Sequence, residues 1–293
     1  MSTSSERIIL VTGASRGVGK GIAEGIGKEG DTIICAARSV PKDTKVKQFG
    51  FEISSSIEET CDQLQQMNIK AIPYAIDLNS HSEIKELAAF IESKFGKLDI
   101  LVHAACQIHD DLVEPKPFWE KSTDLWSVID VGMRSNYLLS HSLAPLMIKQ
   151  RSGLVVHISS HGARCYMHGP IYGAQKAGLD KMAFDMAYDL KDHGVTAVSI
   201  WSGIVKDEKT QKVSEMHGEQ YAQFLQGAAS QSYAGKVINA FYTDKTRHDS
   251  TGETLIMAEL GKKYGITNED GSEVRSDREM LGGPVKFEEA VVY

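Results

Sequence analysis

Six short apolar runs, separated by longer amphipathic stretches, constrain this chain more than any other feature. They lie at residues 8–11, 32–37, 71–76, 98–105, 153–158 and 196–201. Helical patterns fall between them, at 57–67, 82–95, 123–150 and 172–193. An apolar run without polar alternation is a strand covered on both faces, and strands of that kind joined through helices form a parallel sheet. Right-handed crossovers then place helices on both sides of it. The fold class expected is α/β, a doubly wound parallel sheet in a single domain.

Two stretches break the rhythm. Residues 41–56 are polar and irregular, and read as a surface insertion before the helix at 57–67. Residues 206–229 follow the sixth run at the carboxyl end of the sheet, where a charged helical excursion is placed to act as a substrate lid. The main domain is read as residues 1–265, and 266–293 as a polar, loosely ordered C-terminal tail.

Charge and composition exclude several functions. With 32 Lys and Arg against 39 Asp and Glu, the net charge is −7 and no basic block exists to grip a phosphate backbone, so nucleic acid is not expected as a partner. No run of 18 apolar residues occurs, so no membrane span is expected. Cys35, Cys61, Cys106 and Cys165 form no C-x-x-C pair, which suits free thiols in a reducing compartment and no metal cage. The N-terminal residues are polar, and the location expected is cytoplasmic.

The first run ends in Thr12-Gly13-Ala14-Ser15-Arg16-Gly17-Val18-Gly19. Glycines between a strand and a helix let the backbone approach a pyrophosphate, and the helix N-terminus offers free N–H groups to it. That is the dinucleotide loop of a Rossmann fold. Gly13, Gly17, Gly21 and Gly25 recur every four residues, which predicts a helix packed closely on the sheet. The second run ends Ala36-Ala37-Arg38, with no carboxylate to hold both ribose hydroxyls. Arg38, Arg16 and Ser15 instead suit a 2′-phosphate, which selects NADP(H).

Tyr172 and Lys176, four residues apart, lie on one face of a helix. A phenol titrates near 10, and an adjacent ammonium favours the phenolate that proton transfer needs. Ser159 and Ser160 end the fifth run, where a hydroxyl can polarise a carbonyl oxygen. In the short-chain dehydrogenase/reductase superfamily, which these motifs resemble, alignment of the strand implies Ser160 and the usual serine-to-tyrosine spacing of thirteen implies Ser159. Ser160 is the reading taken, because strand register outweighs loop length.

The glycine spacing and Tyr-x-x-x-Lys together resemble the short-chain dehydrogenase/reductase superfamily, classical type, from residue 8 to about residue 271. Lys116-Pro117-Phe118-Trp119-Glu120, Gly203-Ile204-Val205 and Lys263-Tyr264-Gly265 followed by Asp270-Gly271 are most similar to its SDR family member 1 group. The resemblance implies an NADP(H)-dependent oxidoreductase that interconverts a carbonyl and an alcohol, like carbonyl and ketosteroid reductases. It makes Tyr172 the acid/base, Ser160 the polarising group and Lys176 the anchor of the nicotinamide ribose. Cofactor contacts are implied at Gly13, Ser15, Arg16, Gly17, Val18, Gly19 and Arg38. They are also implied at Asp77, Leu78, His103, Ala105, Gly203 and Val205, with Tyr172 and Lys176. It implies a homodimer or homotetramer built on the helices at 123–150 and 172–193, through Leu138, Leu139, Leu143, Leu146 and Met147 and through Leu179, Met182, Met186 and Leu190.

Departures from the family pattern support a second reading, a catalytically weak nucleotide-binding scaffold. Asn-Asn-Ala-Gly after the fourth run is His103-Ala104-Ala105-Cys106, and the family's catalytic Asn aligns with Gly132. Pro-Gly after the sixth run is Ser202-Gly203, and a following Thr is Asp207; Gln175, where Ser is common, is a harmless exchange.

Overall fold

Strands form where the apolar runs are. The computed structural model describes residues 6–217 and 225–292. β1 (Ile8–Thr12), α1 (Gly17–Ile26) and β2 (Thr32–Ala37) open the chain, followed by β3 (Lys45–Gln48), β4 (Phe51–Ser54), α2 (Ile57–Gln66) and β5 (Lys70–Ala75). Next come α3 (His81–Phe95), β6 (Ile100–His103), α4 (Asp110–Val113), α5 (Ser127–Ile129), a π-helical segment (Asp130–Arg134) and α6 (Ser135–Gln150). β7 (Gly153–Ser159), α7 (Pro170–Leu190), β8 (Val195–Trp201), β9 (Val205–Lys206) and α8 (Glu208–His217) follow. The described chain then runs through β10 (Ala229–Ser230), α9 (Tyr233–Thr243), β11 (Thr254–Ile256), α10 (Met257–Lys263) and α11 (Arg278–Leu281).

The central sheet has the order β11-β8-β7-β6-β1-β2-β5, and its neighbours pair in parallel. All six expected runs are in it. Alternate residues of one strand feed opposite layers: Ile9 and Val11 pack with Ile22, Ile26 and Phe241, while Ile8 and Leu10 pack with Leu87, Ile91 and Leu139. Strand order reverses between β1 and β6, and that crevice is where a doubly wound sheet binds its ligand.

Three expectations need revision. The glycine stripe of α1 meets another helix rather than the sheet. A Cβ at Gly21 would lie 1.9 Å from Gln231 O, one at Gly25 2.1 Å from Ser232 O, and one at Gly235 2.3 Å from Ile22 O. The small residues therefore admit α9, while Ile22 and Ile26 join the strands in the core. The insertion at 41–56 is regular: β3 and β4 form an antiparallel hairpin outside the main sheet. The segment from 266 onward has one helical turn, α11, yet it is fastened. Ser230 N–H donates to Asn268 Oδ1 at 2.7 Å, Arg278 makes two 2.7 Å bonds to Glu259, and the Phe287 ring lies 5.3 Å from that of Phe184.

Most of the apolar residues expected to form a subunit interface on α6 and α7 face inward instead, with Met182 left partly exposed. Leu139, Leu143, Leu146, Met147, Leu179 and Leu190 are buried in the core, and Leu138 and Met186 pack against it. Among the described residues, no helix is long and apolar enough to cross a membrane, and no group of three His, Cys, Asp or Glu could hold a metal.

Candidate active site

At the switch point the backbone of β1 and that of β6 are drawn together by one hydroxyl. Thr12 Oγ1 accepts from Ala104 N–H at 3.2 Å and Ala105 N–H at 3.3 Å. Gly13, at φ +73°, sits so close to this turn that a Cβ would come within 2.7 Å of Ala105 Cα. A Cβ at Gly19 would meet Gly13 O at 2.2 Å, so the loop folds tightly onto the start of α1. No side chain caps the first N–H groups of α1, and its first turn holds no acid. A bare cradle at a helix N-terminus fits a pyrophosphate. Val18 packs against the core here, and Gly203 (φ +68°) and Val205 stand at the exit of β8.

The two arginines converge at the end of β2. Arg16 Nη1 donates to Ser55 Oγ at 2.8 Å, and Arg38 Nη2 donates to Gln107 Oε1 at 2.9 Å. Arginine ion pairs among the described residues involve Arg7, Arg134, Arg275 and Arg278, and neither Arg16 nor Arg38 has one. Burial, and then the charge of Arg38, lower the affinity of the Arg16 guanidinium for its proton. The Asp207 carboxylate opposes this from the glycine-loop side, but the side-chain hydrogen bonds of the two arginines go to a hydroxyl and an amide, which leaves two neighbouring cations suited to an anion. After β5, Asp77 accepts from Asn79 N–H at 3.0 Å and Leu78 is buried. The His103 ring turns inward: Nε2 is 2.8 Å from Ser140 Oγ, and the ring stacks on His157 at 4.8 Å.

Ser160, Tyr172 and Lys176 come together at the end of β7 and the start of α7. Ser160 Oγ donates to Tyr172 OH at 3.1 Å and accepts from Gly162 N–H at 3.2 Å. Lys176 Nζ lies 5.3 Å from the centre of the Tyr172 ring and donates to Ile158 O at 3.1 Å. Ser159 faces away from this group: it is buried, and its hydroxyl donates to Lys176 O at 3.1 Å. Pro170 at the first turn starts α7, and His168 packs edge-on against Tyr172 at 5.1 Å.

Several neighbours carry little sequence signal. Gly162 is one, since a Cβ there would come within 2.6 Å of Tyr172 Cε1. Asp180, one turn beyond Lys176, is buried and accepts from Ser199 Oγ at 2.6 Å and Trp201 Nε1 at 3.0 Å. Burial raises its carboxyl pKa, opposed by hydrogen bonds from Ser199, Ser159 and Trp201. Only the continued four-residue spacing 172, 176, 180 hints at it. Gln175 is fully buried, and its carboxamide fills the space beside Gly132, where a Cβ would lie 1.7 Å from Nε2. Its partner is Cys106 Sγ, at 3.7–3.8 Å. Three departures from the family pattern thus form one cluster. Asp207 caps α8, accepting from Thr210 N–H at 2.8 Å.

A dinucleotide loop at the switch point and a Ser-Tyr-Lys group at the adjoining strand ends define an oxidoreductase of the short-chain dehydrogenase family, classical type. The short chain dehydrogenase model matches residues 7–218, and the chain belongs to that family. The chain is similar to the human dehydrogenase/reductase SDR family member 1, at 31% identity over 280 residues, covering 92% of this chain and 85% of that one. The mouse protein of the same description is 30% identical over 280 residues, with the same coverage. The fold matches L-sorbose reductase from Gluconobacter frateurii complexed with NADPH and L-sorbose, with TM-score 0.71, 19% identity, and 93% of this chain and 98% of that one covered. It also matches 3-oxoacyl-[acyl-carrier protein] reductase from Brucella melitensis in complex with NAD, with TM-score 0.71, 19% identity, and coverage of 87% and 96%.

Proposed function

We propose that this chain is an NADP(H)-dependent carbonyl reductase or alcohol dehydrogenase in which Ser160, Tyr172 and Lys176 are the catalytic residues. The observation that carries the reading is the 3.1 Å hydrogen bond from Ser160 to Tyr172, with the Lys176 ammonium beside the same ring. The bound dinucleotide supplies or accepts the hydride. Tyr172 gives its hydroxyl proton to the carbonyl oxygen as charge grows there, or takes it from the alcohol in the other direction. Ser160, oriented by Gly162 N–H, turns its proton to that oxygen, and Lys176 offers positive charge to the phenol oxygen left behind. Ile108 and Ile171, partly exposed beside Tyr172 over the buried Leu112, Leu125 and Val128, give this corner an apolar character that suits a ketone on an apolar body, such as a steroid, a prostaglandin-like lipid or a small xenobiotic.

Solved neighbours hold NADPH or NAD, so cofactor choice rests on this chain's own residues. Arg16 and Arg38, neither of them in an ion pair among the described residues, support NADP(H), gripping the 2′-phosphate with Ser15. Gly13, Gly17, Val18 and Gly19 cradle the pyrophosphate. Asp77, Leu78 and Ala105 adjoin the adenosine, with His103 contributing through its backbone, and Gly203 and Val205 flank the nicotinamide. Residues 1–265 form the catalytic domain and 266–293 its tail. Of the lid at 206–229, α8 is seen, and residues 218–224 lie outside the described residues. The proposal also includes a cytoplasmic location and a homodimer or homotetramer built on α6 and α7.

The test pairs binding with turnover. NADPH should bind at least about tenfold more tightly than NADH, and Arg38→Asp should erase that preference. A ketone panel should oxidise NADPH, with Tyr172→Phe lowering kcat by about 10²–10⁴ and leaving NADPH binding intact. Binding without turnover on any ketone would favour the scaffold reading.

A further inference from the structure

The β3–β4 hairpin stands outside the strand–helix alternation, joining β2 to α2 without pairing to the main sheet. Its far end delivers Ser55 to the glycine loop. Ser55 is completely buried, and both partners of its hydroxyl belong to that loop. The oxygen accepts from Arg16 Nη1 at 2.8 Å, and the proton goes to Ser15 Oγ at 3.1 Å. Ser55 itself is fixed in place. Its N–H donates to Thr44 O at 2.8 Å, and the next N–H, of Ser56, donates to Ser15 O at 3.1 Å.

The chemistry of the anchor decides what it can do. Arg38 repels the Arg16 guanidinium and Asp207 attracts it, so its hydrogen bond to Ser55 helps decide which way it points. A carboxylate could hold Arg16, but it would also cancel its charge and repel a phosphate. A hydroxyl orients the guanidinium and leaves the charge whole. It occupies one of five guanidinium donors, and by giving its own proton to Ser15 it leaves the Ser15 proton free for an outside acceptor.

We infer that Ser55 is a positioning residue for cofactor specificity, setting Arg16 and Ser15 as paired donors for the 2′-phosphate of NADP(H). This rests on the NADP(H) reading above. The experiment measures dissociation constants of NADPH and NADH for the full chain, for Ser55→Ala and for Ser55→Thr. Ser55→Ala should weaken NADPH about tenfold while NADH stays within about twofold, and Ser55→Thr, which keeps the hydroxyl, should retain the parent ratio. Equal binding of both cofactors by the unmutated protein would refute the NADP(H) reading and this inference with it. A parent preference for NADPH that survives Ser55→Ala, or an equal loss for both cofactors, would overturn the role of Ser55 alone.

Discussion

Gly132 and Gln175 are far apart in sequence and share one space. The Gln175 carboxamide occupies the volume that any side chain at 132 would need, and Gly132 lies in the π-helical segment that precedes α6. Gly132→Asn alone should therefore overpack this site at a cost of about 1–3 kcal/mol and lower the thermal midpoint by several degrees. Gly132→Asn with Gln175→Ser should recover most of that loss, because the shorter residue vacates the space. A double variant no more stable than the single one in thermal melts would show that packing is not what links the two positions. Ser160, Tyr172 and Lys176 were legible in the sequence because their chemistry depends on spacing along one strand end and one helix. The Gln175–Gly132 fit was not, and Gln175 read as a harmless exchange, because a tertiary contact leaves no periodic trace.

The contact between α1 and α9 is a seam of backbone against backbone. Gly→Ala in a solvated helix stabilises by about 0.8–1 kcal/mol. At Gly25, however, a Cβ would sit 2.1 Å from Ser232 O and 2.8 Å from Lys236 N, neither of which can yield as a flexible side chain would. Gly25→Ala is expected to destabilise by about 1–3 kcal/mol, seen as a lower urea midpoint with an unchanged slope. A higher midpoint would mean that α9 moves freely from α1. The glycine period announced a close approach, but periodicity along one helix cannot say which neighbour approaches. Elements outside the main rhythm were harder to see. β11 has three residues, two of them half-buried, and exposed Lys45 and Lys47 made the hairpin look irregular. Those strands depend on their partners, whereas the six apolar runs carry their own signal.

For the molecule as a whole, the stacked rings of His103 and His157 tie stability to pH. Burial depresses the imidazole pKa of His157 to about 4 from 6.5, and burial with the neighbouring ring holds that of His103 well below its usual value. Below pH 6.5 the unfolded chain takes up protons that the native state refuses, so stability is full above that pH and declines as pH falls toward 4. The contribution of His157 is about 3 kcal/mol across the window. His157→Phe keeps an aromatic ring but cannot titrate. Its urea midpoint relative to the parent should rise as pH drops from 7 to 4.5, and a constant difference would argue against the linkage. The tryptophans give the protein an uneven set of optical labels. Trp119 and Trp126 are 72% and 60% exposed, whereas Trp201 is 1% exposed and hydrogen-bonded to Asp180. A small aqueous quencher would dim the first two first, so the emission that persists would come from an indole one hydrogen bond from Asp180, on the helix that carries Tyr172 and Lys176.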